Sequence, residues 1–324
     1  MPIGTDIEQA ALLLRQGGIV AIPTETVYGL AANAFDPGAV LKIFQAKERP
    51  AFDPLIVHVH SLAQAHEVAL TTAADPLMRR QAEALMARFW PGPLTLVLPK
   101  APVLPDLVTS GLGTVAVRAP AHPMALRLLR SLPFPLAAPS ANPFGYVSPT
   151  TARHVADQLG GKVPYILDGG PCTVGVESTI IGWEQEQGGW VLYRPGGTPL
   201  AGVEAVIGAV GQAQKRVLPA APGTLESHYA PRKPVLLGDV PGLMRSHAGK
   251  RIGVISFCTD HGAQQNEVLS PGADLSVAAR GLFAALRRLD ASNVELILAE
   301  HFPETGLGAA INDRLQRAAA KRDP

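Results

Sequence analysis

Five side chains able to hold a ligand fall within the single stretch Ile19 to His60: the hydroxyls of Thr24 and Thr26, the cations Lys47 and Arg49, and the imidazole of His58. Each sits at the end of a short element that the pattern itself predicts. A buried-type strand from Ile19 to Ile22 stops at Pro23, and a polar turn, Thr24-Glu25-Thr26, follows and is closed by Tyr28-Gly29. Asp36-Pro37 starts a helix, because Asp accepts from free N–H groups at an N-cap and proline suits a first position whose own N–H would have no partner. Val40, Leu41 and Phe44 give that helix an apolar face, and it carries Lys47 and Arg49 to its C-terminal end. A second strand, Leu55 to Val59, holds His58 on the face opposite Leu55, Val57 and Val59. Taken singly these residues have ordinary explanations. A helix dipole favours cations at its C-terminus, threonines are common in turns, and a lone strand histidine is more often core than ligand.

The rest of the chain supplies further elements and further candidates. Thr5-x-x-Glu8 reads as a capping box for a first helix with Ile7, Ala10, Ala11 and Leu14 inward, ended by Gly17-Gly18. A helix near Pro76 to Phe89 is expected to turn Leu77, Ala84, Leu85 and Phe89 inward, and strands are expected at Leu94 to Leu98 and Thr114 to Arg118. A helix from Pro123 to Ser131 precedes a strand at Leu136 to Ala138, and another helix starts near Pro149 to Thr151. Strands follow at Tyr165 to Leu167, Ser178 to Trp183 and Trp190 to Tyr193, then a helix from Leu200 to Val210. Arg118 and Arg194 close two of these strands, and Ser140, Ser148 and Ser178 flank others. Any one serine is as well explained by a turn or a cap.

Alternation of strands and helices makes the class α/β, and short, proline-punctuated strands favour an open, strongly twisted mixed sheet over a long doubly wound one. The domain plan is 1–210, a linker over 211–234 rich in proline, and a small α/β, Rossmann-like unit over 235–324. That last unit has buried-type strands at Val235 to Leu237, Ile252 to Phe257 and Val294 to Leu298, with helices near Leu275 to Leu289 and Leu307 to Ala319. The string from Gly306 to Arg314 reads as a helix start able to dock on the first domain.

Composition bounds the function. The 324 residues are 47% hydrophobic with a net charge of +1, which does not support non-specific nucleic-acid binding. Two cysteines, Cys172 and Cys258, make no disulfide framework and suit a reducing, cytoplasmic setting. There is no signal-peptide pattern and no apolar run long enough for a membrane span. His58 and His60 lack the further ligands that a zinc site needs, and no P-loop occurs. Gly111-x-Gly113 and Gly306-x-Gly308 are too short for a dinucleotide fingerprint.

The string PTETVYGL, followed by K-x-R-P and PLIVHV, resembles the YrdC-type threonylcarbamoyl-AMP synthase family in its longer, two-domain form. V-x-V-R ending at Arg118, SAN at Ser140, EST at Ser178 and R-P-G at Arg194 recur in the family's order. The resemblance implies a YrdC-type sheet and a reaction of ATP, L-threonine and bicarbonate that yields threonylcarbamoyl-adenylate and pyrophosphate. The product would pass to a tRNA threonylcarbamoyl-transfer complex, without stable nucleic-acid binding by this chain. It further implies that Lys47 and Arg49 are catalytic and that Lys47, Arg49, Ser140, Ser148, Arg194 and Tyr229 bind ATP. Thr26, His58, Arg118 and Ser178 would face threonine, and the linker around Tyr229 would act as a lid.

Mg2+ is expected with ATP, held mainly by phosphate oxygens as this ion usually is, with no protein metal site. Asp53 stands where the family often has an amide or a cation, and a carboxylate beside phosphates is unfavourable unless it binds a metal or points away. Two alternatives remain beside the synthase: an RNA-binding module of the tRNA-modification machinery, and a carbamoyl-transfer enzyme, whose known forms carry Cys-rich zinc units that this chain lacks.

Overall fold

Residues 2–69, 75–213, 221, 223 and 227–320 are described by a computed structural model. Two sheets organise them. The first has eleven strands, in the order Ile3–Gly4, Ile166–Leu167, Val20–Ile22, Gly29–Asn33, Leu136–Ala137, Ile56–His58, Thr114–Arg118, Leu94–Pro99, Thr179–Glu184, Gly189–Arg194 and Gly211–Gln212. Parallel and antiparallel pairings alternate irregularly along it, as the short strands imply. The second sheet has four parallel strands, in the order Val235–Leu237, Leu296–Ala299, Ile252–Ser256 and Gln265–Val268. No helix among the described residues is long and apolar enough to cross a membrane.

Local chemistry accounts for most helix starts. Asp36 accepts from the N–H groups of Gly38 and Ala39, with Pro37 in the first turn, so that start is as the sequence predicts. The first helix, Ile7–Arg15, departs from expectation. Its cap is Asp6, which accepts from Glu8 and Gln9, and Thr5 stands outside the helix. Aspartate adds charge–dipole attraction to the capping bond, which a threonine hydroxyl lacks. In Pro76–Phe89, Leu77 and Ala84 face outward, contrary to expectation, and Met78, Ala82, Leu85 and Met86 pack inward. The aliphatic residues allow two stripes about one position apart, and the neighbouring Ala65 and Val68 take the one with the methionines. Gly29–Asn33, read as following a turn, is a central strand paired to Val20–Ile22 and to Leu136–Ala137. Its Leu-Ala-Ala core is buried on both faces and has no period-two signal.

The two sheets share one hydrophobic cluster, in which Val27, Val147, Val176 and Tyr229 meet Leu282, Phe283, Leu286, Ile311 and Leu315. Polar ties surround it. Arg287 donates to the carbonyls of Val147 and Ser148, Arg280 donates to Thr173, and Tyr146 donates to Asp290. Gly175 lies so close to the helix Leu275–Ala291 that an added Cβ would come within 2.3 Å of the Arg280 Cα. Pro219 and Pro222, read as linker residues, lie outside the described residues.

Candidate active site

One cavity, about 530 Å³ including the space at its mouth, opens over the strand ends of the large sheet. Arg49, Arg118 and Arg194 line it together with Thr24, Thr26, His58, Ser140, Glu177, Ser178, His228 and Tyr229. Eight of the ten candidates from the sequence thus converge on one space. The other two, Lys47 and Ser148, are buried behind its wall.

Each cation is held from behind by backbone carbonyls. Arg49 donates through Nε to Asp53 O at 3.0 Å and through one terminal nitrogen to Pro54 O at 2.8 Å. Arg118 donates from Nε to Gly92 O at 3.0 Å and from a terminal nitrogen to Thr26 Oγ1 at 2.9 Å. Arg194 donates to Ser178 O at 3.0 and 3.2 Å, to Ser178 Oγ at 3.3 Å and to Tyr229 Oη at 3.4 Å. Fixing the guanidinium groups this way removes rotamer freedom before a ligand arrives.

Among the described residues, Arg118 and Arg49 each face a buried carboxylate. Glu25 Oε1 lies 2.5 Å from a terminal nitrogen of Arg118, and Asp53 Oδ2 lies 2.8 Å from Arg49. Both contacts are close but poorly aligned for hydrogen bonding, since neither carboxylate has a hydrogen-bond partner of good geometry. They act as counter-charges. Asp53 therefore turns its carboxylate to Arg49. Burial raises its pKa, against the lowering pull of Arg49 and Lys47.

The hydroxyls form short relays. Thr24 and Thr26 are 2.9 Å apart through their Oγ1 atoms, and Thr95 and Ser178 are 2.7 Å apart. His58 sits beside Arg118 in the parallel register of two strands. Burial, and then the Arg118 charge, lower its pKa from 6.5 to about 3, so the ring is neutral at neutral pH.

Lys47 has a different position from the three arginines. Its Nζ donates to Ser140 O and Asn142 O, each at 2.5 Å. It therefore braces the loop that carries Ser140 to the cavity. Burial, followed by the Arg49 charge, pushes its pKa well below the usual lysine range; two acceptors need two N–H groups, which either charge state supplies. Ser148 likewise donates inward, to Glu177 Oε1 at 2.5 Å.

Tyr229 is fully buried with a backbone φ of 60°, a left-handed conformation uncommon for a tyrosine. Its ring lies 5.7 Å from that of Phe283 and 5.2 Å from the guanidinium of Arg314. Arg314, which is 0% exposed, donates to Glu177 Oε2 at 2.8 Å and to Pro195 O at 2.8 Å. The helix Gly308–Ala319 thus docks on the first domain as its sequence suggested.

Sequence reasoning missed Glu25, Glu177 and His228. The signal for the two carboxylates was present: arginines buried at a site need counter-charges, and both glutamates adjoin residues already singled out.

An open mixed sheet with three pre-positioned arginines and paired hydroxyls around one cavity defines an α/β protein built to hold an anionic small molecule. Comparison with known proteins narrows the class. A family model for Sua5, YciO and YrdC, described as telomere recombination, matches residues 12–196, and one described as the C-terminal domain of threonylcarbamoyl-AMP synthase matches residues 199–320. The chain belongs to this family. Threonylcarbamoyl-AMP synthases from Pyrococcus abyssi and Bacillus subtilis are each 44% identical to it, over 98% of this chain and 94% and 93% of theirs. The crystal structure of P. abyssi Sua5 complexed with L-threonine superposes with a TM-score of 0.90 at 43% identity, covering 98% of both chains.

Proposed function

We propose that this chain is an L-threonylcarbamoyladenylate synthase, a nucleotidyltransferase that makes threonylcarbamoyl-AMP and pyrophosphate from ATP, L-threonine and bicarbonate. The observation that carries this reading is the convergence of Arg49, Arg118 and Arg194 with Thr26, His58 and Ser178 on one cavity, in a chain whose likeness to the named synthases is nearly full-length.

Arg118, with Thr26, His58 and Ser178, would take the threonine carboxylate and hydroxyl, with the neutral His58 ring adding no charge of its own. Arg49, Arg194, Ser140 and Tyr229 would take the nucleotide. Lys47 and Ser148 would serve from behind, by holding the Ser140 loop and Glu177. The threonine nitrogen attacks bicarbonate and, with loss of water, becomes a carbamate. A carbamate oxygen then forms a bond to the ATP α-phosphorus while the α–β bridging bond breaks and pyrophosphate leaves with the electron pair. Arginines fixed before binding suit the stabilisation of charge on phosphoryl oxygens and on the leaving group. No covalent intermediate with the protein is needed.

Magnesium would accompany ATP. Glu25, Asp53 and Glu177 around the cavity already face arginines, which leaves phosphate oxygens as the ion's natural ligands. We divide the chain into a catalytic domain over 1–210, a linker over 211–234 that closes one side of the cavity through Tyr229, and a C-terminal domain over 235–324. The adenylate would pass to a tRNA-modifying transferase in the cytoplasm. The test is pyrophosphate release from ATP with each co-substrate withheld in turn. Release is expected only when threonine and bicarbonate are both present, and release that ignores either one would refute the reading.

A further inference from the structure

Arg314 raises a physical question that the proposed reaction does not answer. It is buried completely, yet it belongs to the C-terminal domain and does not line the cavity. A buried ion pair is weak evidence for stability, since well-packed apolar side chains of similar volume often serve a fold as well or better. Ile311 and Leu315 on the same helix already provide apolar docking. What a guanidinium adds is direction, because its planar fork fixes several partners at once.

The partners outside its own helix are all attached to the cavity wall. Through Nε, Arg314 holds Glu177 Oε2, while the other oxygen of Glu177 accepts from Ser148. A terminal nitrogen of Arg314 holds Pro195 O, the carbonyl next to Arg194. The same terminal nitrogen is oriented by Asp313 at 2.6 Å. The guanidinium carbon lies 5.2 Å from the centroid of the Tyr229 ring, whose hydroxyl accepts from Arg194. Arg194 in turn holds Ser178 O. Glu177 and Tyr229 thus touch a single buried cation from the other domain, Arg194 is two contacts from it, and Ser178 is three.

We propose that Arg314 is a positioning residue for the nucleotide side of the cavity, acting through Glu177 and Tyr229 on Arg194, so that the C-terminal domain is an integral part of the active site. The inference rests on the synthase reading for its substrate, and calorimetric binding of a non-hydrolysable ATP analogue separates the two.

The full chain is compared as wild type, Arg314→Lys, Arg314→Met, Glu177→Gln and the Arg314→Met/Glu177→Gln pair, each checked for folding by urea unfolding. Arg314→Met is expected to weaken analogue binding and raise the KM for ATP at least tenfold, while the KM for threonine changes less than threefold. Tenfold corresponds to about 1.4 kcal/mol. Lysine keeps the charge but not the fork, so Arg314→Lys should recover part of the loss. The double variant should lose little beyond the worse single, since both changes cut one connection. Should Arg314→Met fail to fold, Arg314→Lys and Glu177→Gln carry the test, each with at least a threefold rise in the KM for ATP. Folded variants with lowered stability but unchanged ATP affinity, or with ATP and threonine affected alike, would overturn the proposal. A wild type that fails to bind the analogue would instead overturn the synthase reading.

Discussion

Arg118 and Glu25 offer a way to separate what the site does for folding from what it does for its ligand. The pair is 2.5 Å apart, with side chains 3% and 8% exposed. Arg118 has two other acceptors, Gly92 O and Thr26 Oγ1, whereas both Glu25 oxygens are without another well-formed hydrogen bond. The two single variants should therefore differ. Arg118→Met leaves a buried carboxylate with no counter-charge, a change that typically costs about 3–5 kcal/mol. Glu25→Gln leaves Arg118 its two remaining acceptors and an amide neighbour, and should cost about 1–3 kcal/mol. The double variant strands no charge. It loses two hydrogen bonds of Arg118, about 1 kcal/mol each, so its total should be about 2 kcal/mol. The singles sum to at least about 4 kcal/mol, which puts the coupling at about 2 kcal/mol or more, as large as residues in contact show.

Urea unfolding at fixed protein concentration reads these values, and pyrophosphate release against threonine concentration reads the site. The double variant should regain stability relative to Arg118→Met, yet neither should respond to threonine, because the guanidinium is gone from both. Singles and double that add within about 0.5 kcal/mol would show that the two charges are independent, and would refute the counter-charge argument. A threonine response in Arg118→Met would refute the assignment of Arg118.

Two further perturbations follow from the same geometry. Gly196 packs against the EST segment so tightly that an added Cβ would lie 2.3 Å from Ser178 C and 2.4 Å from Glu177 O. Gly196→Ala must therefore move backbone by about 1 Å, enough to stretch the bonds from Arg194 to Ser178, and should cost about 1–3 kcal/mol in stability along with at least tenfold in ATP KM; wild-type unfolding and kinetics would exclude that packing. His58, with its folded pKa lowered to about 3, binds its proton less readily in the folded chain than in the unfolded one. Its neutral state costs nothing above pH 6.5, and stability falls as pH drops from there towards 3, by at most about 1.4 kcal/mol per pH unit. His58→Asn should flatten the slope of stability against pH between 6 and 4, and an unchanged slope would mean that the ring is not buried as described. His154 and His228 also have lowered pKa values, so part of the slope should remain.

Which features were legible in the sequence follows from how far apart the interacting residues are. Asp36-Pro37 announces its helix because the cap and the first turn are adjacent in the chain. The first helix shows the limit even there: Thr5 and Asp6 are both good caps, and the choice depends on which backbone N–H groups the fold presents. Gly29–Asn33 hides its strand because small residues buried on both faces carry no alternation. The site divides in the same way. The cations and hydroxyls could be found because polar residues at the ends of apolar strands stand out one by one. What each does depends on partners far away in sequence. In the sequence Lys47 reads as the equal of Arg49, until Ser140 and Asn142, more than ninety positions on, offer it their carbonyls. Glu177 looks like a turn residue until Arg314, 137 positions further along, closes on it. Residue type fixes which chemistry a site can hold, and these long-range pairs decide which side chains touch the ligand and which hold the others in place. That division is why the second domain, whose described strands are absent from the cavity lining, still reaches the cavity wall at Glu177 through one arginine.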